Sequence, residues 1–265
     1  MRDLIDMAKK IPRADRDDLH EPDCPQGTHK SVLKEINDWT EDFAQPPIYL
    51  LVKFNGTETR SIARTIIDEY HRLENQQFSY FCSLGREDNI KFIFPTLAIR
   101  LAEKCSKFQT ALLDADKKPG IFFGSLDRQL NEAILEPLNT SGVRDVIFVI
   151  DALDECTMDP SYDGLDTPEE RVLNALVKYK TQIQEMRLKF FITSGLMEPQ
   201  NSDEPIEPDE DYREIDMRRY LGRVVSNLET GTAKAVRFVD IGDHQQALTK
   251  DDQMALGCGM TTKEK

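Results

Sequence analysis

The chain has 265 residues, of which 39% are apolar, 8% aromatic and 31% charged. That is enough apolar material for a core, which excludes wholesale disorder, and the length suits one large domain or two small ones. With 34 Lys and Arg against 48 Asp and Glu, the net charge is −14, so phosphate backbones and anionic lipid surfaces are repelled and excluded as default partners.

Residues 1–23 are charged and weakly periodic, which predicts an N-terminal tail. Thr28 is a candidate cap for a helix carrying Val32, Leu33 and Ile36 and ending near Trp39. After the loop 41–47, Ile48-Tyr49-Leu50-Leu51-Val52 is a continuous apolar run, suited to a strand buried on both faces. Asn55-Gly56-Thr57 signals a turn, and Ile62, Ala63, Ile66, Ile67, Tyr70 and Leu73 mark one face of the helix that follows. Phe78 to Cys82 is a short aromatic strand. Phe94, Leu97, Ala98, Leu101 and Cys105 form a helical stripe with Pro95 in its first turn. Ser125 caps a further helix with Leu126, Leu130 and Ile134.

Val146 to Ile150 is the clearest strand, and it ends on Asp151. Thr167-Pro168-Glu169-Glu170 combines an N-cap, a Pro at the first helical position and a Glu three residues after the cap. The predicted helix carries Leu173, Leu176, Val177 and Ile183, and Leu188 to Thr193 is a fourth strand. Strands alternating with helices predict an α/β fold with a parallel sheet and helices on both faces. Residues 199–212 are acidic and Pro-containing, which predicts a linker. Residues 213–241 are expected to hold a helical remnant, with Ile215, Tyr220, Leu221, Val224, Val225 and Leu228 on one face. Residues 242–265 are expected to form a disordered tail.

The five cysteines, Cys24, Cys82, Cys105, Cys156 and Cys258, lie far apart and form no CxxC pair or Cys/His cluster. Neither a structural zinc site nor a disulfide framework is expected; reduced thiols in a cytoplasmic protein fit this usage. The N-terminal stretch lacks the apolar centre of a signal peptide, and no apolar run approaches the roughly 20 residues a membrane helix needs. The four histidines, His20, His29, His71 and His244, show no ligand spacing.

The chemistry concentrates in Val146 to Cys156, VIFVIDALDEC. An apolar strand delivers Asp151, Asp154 and Glu155 at its C-terminal end, where open α/β sheets bind ligands. Asp151 there is a candidate Mg²⁺ ligand, directly or through water. Asp154 and Glu155 are candidate catalytic groups that orient or deprotonate a water. The bland alternative is that these acids only cap a strand. Apolar strand, Asp, small, apolar, Asp, Glu is, however, the Walker B arrangement of P-loop NTPases. The matching phosphate loop would fall in Val52 to Ile62, VKFNGTETRSI. A working loop reads GxxxxGK[ST], with backbone amides around phosphate, a Lys on the β/γ-phosphates and a hydroxyl on Mg²⁺. Taken alone, this segment does not satisfy that pattern.

Several stretches in order change the weighing. Cys24-Pro25-Gln26-Gly27-Thr28-His29, the helix ending in Trp39, Pro46-Pro47-Ile48-Tyr49, Ser61 to Thr65, Phe94 to Ala98, Ile134 to Leu138, Asp151 to Cys156 and Leu188 to Ser194 together resemble the fungal NACHT-type NTPases. These are a branch of the STAND signalling ATPases with nephrocystin-like N-terminal domains. The resemblance covers about two thirds of the chain, from about Cys24 to Ser194, and implies a three-layer P-loop NTPase domain over residues 24–198. It also implies that the fourth strand lies between the first and third. Family members usually continue into helical and winged-helix domains, so the C-terminal helical part is expected to be truncated here. Ala233 to Phe238 vaguely echoes a later family stretch.

The resemblance implies a nucleotide site at Gly56, Thr57, Glu58, Thr59, Arg60 and Ser61, and there the chain departs from the family. Laid on GPAGTGKST, Thr59 stands in the place of the lysine, Arg60 in the place of the Mg²⁺-binding hydroxyl, and Glu58 in the place of a glycine. Gly195 follows Thr-Ser where the family carries Arg. A carboxylate near a phosphate oxygen costs about 4 kcal/mol per charge pair at ~4 Å and an effective dielectric of ~20. The lost lysine removes an attraction of similar order. ATP and Mg²⁺ are therefore expected to bind weakly or not at all, and hydrolysis is not expected.

The leading expectation is an impaired NACHT-like domain that acts as a regulatory or interaction module through a protein partner or self-association. The alternative is a functioning ATP/GTP-binding switch in which Arg60 contacts phosphate beside the intact carboxylates. A truncated paralogue without selected function is the third. In the absence of nucleotide, an Arg60 that reaches across the strand ends would form an internal ion pair with Asp151; otherwise the carboxylates stand as a solvated relic.

Overall fold

The computed structural model describes residues 29–54, 58–72, 79–83, 90–117, 120–156, 167–196 and 236–240. Helix α1 spans Lys30–Glu41. Strand β1 spans Ile48–Phe54, and α2 spans Glu58–Arg72. Strand β2 is Ser79–Ser83. A 3₁₀ turn at Ile90–Phe92 leads into α3, Ile93–Lys104, and α4, Ser106–Ala115. Helix α5, Leu126–Gln129, continues through a π-helical stretch, Leu130–Leu135, into α6, Glu136–Ser141. Strand β3, Val146–Asp151, precedes α7, Pro168–Lys178, and α8, Lys180–Glu185. Strands β4, Leu188–Leu196, and β5, Val236–Asp240, complete the described elements.

The strands make one parallel sheet in the order β2-β3-β4-β1-β5. Strand β4 lies between β1 and β3, as the resemblance implied. The apolar runs are explained by burial on both faces. Ile48, Leu50, Val52, Val146, Phe148, Ile150, Leu188, Phe190 and Ile192 face one core, shared with α3 to α8. Tyr49, Leu51, Val149 and Phe191 face the other, shared with α1 and α2. The side chains alternate with a period of two, so β1, β3 and β4 feed both layers. Phe148 and Phe190, paired in register, stack with centroids 5.0 Å apart. Each fully buried side chain of this size contributes about 1.5–3 kcal/mol.

The N-terminal ends of the strands are fastened by polar contacts. The Trp39 indole donates to the carbonyl of Pro46 at 2.7 Å, and Tyr49 hydroxyl meets Glu35 Oε1 at 2.9 Å. Lys189, 1% exposed, donates Nζ to the carbonyls of Trp39 and Asp42, the latter at 2.8 Å. Its ammonium also lies over the rings of Trp39 and Phe43, at 4.5 and 5.1 Å. Burial pulls the Lys189 pKa down to about 8, against the nearby Asp42 charge that raises it. Asp145 and Arg187 each precede a strand in the left-handed region, at φ 62° and 55°, and pair at 2.7 Å.

Several sequence expectations are corrected. Helix α1 begins at Lys30 with His29 at its cap, and Thr28 lies outside the described residues. Cys105 is extended and ends α3, so residues 106–115 form a separate helix that the stripe had concealed. The helix after Thr167 breaks at Tyr179. In the expected helical remnant over 213–241, residues 236–240 are instead a strand on β1. Residues 213–235 lie outside the described part, as do the expected tails at 1–23 and 242–265 and the linker 199–212.

Candidate functional site

Strand β3 ends on Asp151, and Ala152 turns the chain with φ 52°, a left-handed conformation that a non-glycine residue adopts at a cost of roughly 1–2 kcal/mol. The turn is held by the Ala152 amide, which donates to Thr193 Oγ1 at 2.9 Å. Leu153–Glu155 then form one 3₁₀ turn, which brings Asp154 back over the sheet edge.

Strand β4 continues to Leu196, past Ile192, its last partner on β3. That overhang supplies three consecutive donors. Thr193 donates its hydroxyl to Asp151 Oδ1. Ser194 donates its hydroxyl to Glu169 Oε1 at 2.9 Å. The Gly195 amide donates to Asp154 Oδ1 at 2.6 Å. Three carboxylates, two from the end of β3 and its following turn and one from α7, are thus held by one tripeptide. Asp151, Glu169, Thr193 and Ser194 are buried, and Asp154 is partly exposed. Burial raises the Glu169 pKa, and the charge of Asp154 adds to that rise; hydrogen bonds from its own backbone, Thr167 and Ser194 oppose it.

The expected phosphate-loop segment meets the same edge. Val52 and Lys53 of β1 pair with Ser194 and Gly195 of β4. Glu58, Thr59, Arg60 and Ser61 form the first turn of α2, which packs against β1, β3 and β4. Thr59 is buried. The Ser61 carbonyl accepts from Thr65 Oγ1 at 2.8 Å, a bond internal to the helix. Gly56 and Thr57 lie outside the described residues, as do the side chains of Glu58, Arg60 and Glu155, and with them any Arg60–Asp151 pair. Asp151, Asp154 and the turn 58–61 therefore belong to one end of the sheet.

Chemically the edge is two-sided in composition. It offers carboxylates to a cation, but Thr59 carries no charge for a phosphate. Asp151 and Asp154 each have an oxygen engaged by β4. Among the described residues, no group of three His, Cys, Asp or Glu side chains is arranged to hold a metal ion. Glu169 is the site residue that sequence reasoning missed. The Thr-Pro-Glu-Glu motif was legible as a cap, and Glu170 completes the capping box with Thr167; the motif's first Glu instead faces Ser194.

The sequence matches the Nephrocystin 3, N-terminal family over residues 27–195. The structure of the E. coli MS115-1 HORMA:CdnC:Trip13 complex contains a chain of 14% identity with a TM-score of 0.28, a slight likeness that covers 72% of this chain and 64% of that one. The chain thus spans less than two thirds of that protein's length. No curated protein sequence matches the chain. A match running from residue 27 to residue 195 takes in the β1–β4 sheet and its whole carboxylate edge, and the chain belongs to the Nephrocystin 3, N-terminal family.

Proposed function

We propose that this is a NACHT-like, nucleotide-binding-type domain of a STAND signalling protein with a degenerate Walker A, impaired in ATP and Mg²⁺ binding and hydrolysis. It acts as a regulatory or interaction module in the cytoplasm. The observation that carries this reading is Thr59: a buried, uncharged side chain occupies the helix turn where the family's lysine would meet phosphate. The engaged oxygens of Asp151 and Asp154 support it further. Each ~1.4 kcal/mol of lost attraction is tenfold in affinity, so losing a charge pair worth about 4 kcal/mol removes two to three decades.

The partner is a protein or a second copy of the chain. A net charge of −14 disfavours nucleic acid and anionic membrane. A fluorescent ATP analogue titrated into the purified protein with Mg²⁺ tests the reading. No polarisation change at micromolar protein is expected; saturable binding in that range would overturn it and favour a functioning switch.

A further inference from the structure

Gly195 is not in the left-handed region, where the described glycines with positive φ are Gly120 and Gly142. Its backbone would therefore accept other residues. What a side chain would meet is Asp154: a Cβ built at position 195 lies 2.8 Å from Asp154 Oδ2 and 3.3 Å from Cγ. Real Cβ atoms do not approach an oxygen that closely. The same carboxylate accepts the Gly195 amide through Oδ1 at 2.6 Å. One residue thus supplies both the donor and the space. A backbone amide bonded to a carboxylate is a charge-assisted contact, stronger than an ordinary strand bond. The obstructing atom is the tip of a short, partly exposed side chain on a 3₁₀ turn, so a side chain at 195 moves Asp154 before it moves the sheet.

We propose that Gly195 and Asp154 form a latch that holds the Asp154 carboxylate down on the end of β4, and that the absence of a side chain at position 195 is what keeps it closed. When the latch is closed, that Asp154 oxygen is held by the Gly195 amide and withheld from any other ligand at this end of the sheet. A side chain at 195, or a competing ligand for the carboxylate, opens it. The latch gives the impaired-domain reading one of its causes, but it stands on the two contacts alone. It is tested here without nucleotide, so either idea can fail by itself.

The test is nuclear magnetic resonance on the full chain. The Gly195 amide proton is expected to shift with pH along an acid titration that reports Asp154, and to be protected from exchange. Asp154→Asn should abolish the titration. Asp154→Ala should also speed exchange at Gly195 by at least about tenfold while Ile192 stays protected. In Gly195→Ala the amide of residue 195 should no longer follow that titration, with Ile192 again unchanged. A Gly195 amide that ignores both Asp154 variants would overturn the latch. So would a Gly195→Ala protein whose residue-195 amide still tracks Asp154. If Gly195→Ala does not fold, the two Asp154 variants still decide.

Discussion

Ser194 donates its hydroxyl to Glu169 at 2.9 Å with both side chains buried, which ties the first turn of α7 to the overhanging end of β4. A buried carboxyl depends on its donors. Ser194→Ala removes one and leaves a buried acceptor short of a partner, which costs about 1–3 kcal/mol. Urea unfolding of the two proteins at neutral pH measures it.

The pH dependence of that contact has a definite sign. Burial holds the folded Glu169 pKa above its ordinary value of 4.5. In the interval above 4.5 the native state therefore binds more proton than the unfolded state. The group's contribution is fully present below that value and is lost as pH rises through the folded pKa. Glu169→Gln, which cannot ionise, should gain stability relative to the native sequence between pH 4 and pH 7. Parallel denaturant titrations at the two pH values check this. A constant difference would mean that Glu169 is not buried as a carboxyl.

Lys189 gives the opposite sign. Its folded pKa is near 8 against an ordinary 10.5, so between those values the unfolded chain binds more proton. The cost of burying the ammonium is present in full below about pH 8 and is relieved as pH rises towards 10.5. Lys189→Met should show less of this gain than the native sequence. Lys189→Ala removes the donor to the Trp39 and Asp42 carbonyls and should cost about 1.5–3 kcal/mol. Thermal melts from pH 7 to pH 10 separate the two effects.

At the start of α7 the capping box is complete: Thr167 accepts from the Glu170 amide, and Glu170 accepts from the Thr167 amide at 2.8 Å. Thr167→Ala should destabilise the fold by about 1 kcal/mol. Equilibrium unfolding of the variant measures this.

That box was legible in the sequence because capping is local, set by residues three apart. The central strands were legible for a similar reason, since burial on both faces leaves unbroken apolar runs such as Val146 to Ile150. Helix α4 was hidden because Leu101, Cys105, Phe108 and Leu112 keep helical spacing across the break at Cys105. Strand β5 was hidden because Val236–Asp240 is a short edge strand with a mixed pattern, VRFVD. At the site, Asp151 and Asp154 could be named from the Walker B pattern, but their partners could not. Thr193, Ser194 and Gly195 lie some forty residues further on, and only the pairing of β4 with β3 brings them across. That Gly195 serves Asp154 is a fact of close approach, which no spacing rule encodes.

Changing Glu58→Gly, Thr59→Lys and Arg60→Ser restores the Gly-Lys-Ser part of the phosphate-loop pattern at the same end of the sheet as Asp151 and Asp154, with Lys53 still in the place of its first glycine. The most direct measurement is a calorimetric titration of Mg²⁺-ATP into the native protein and this triple variant under identical conditions. The account predicts millimolar affinity or no measurable heat for the native chain, and binding tighter by at least about tenfold for the variant. Micromolar affinity in the native protein would contradict it, as would a folded triple variant with no gain.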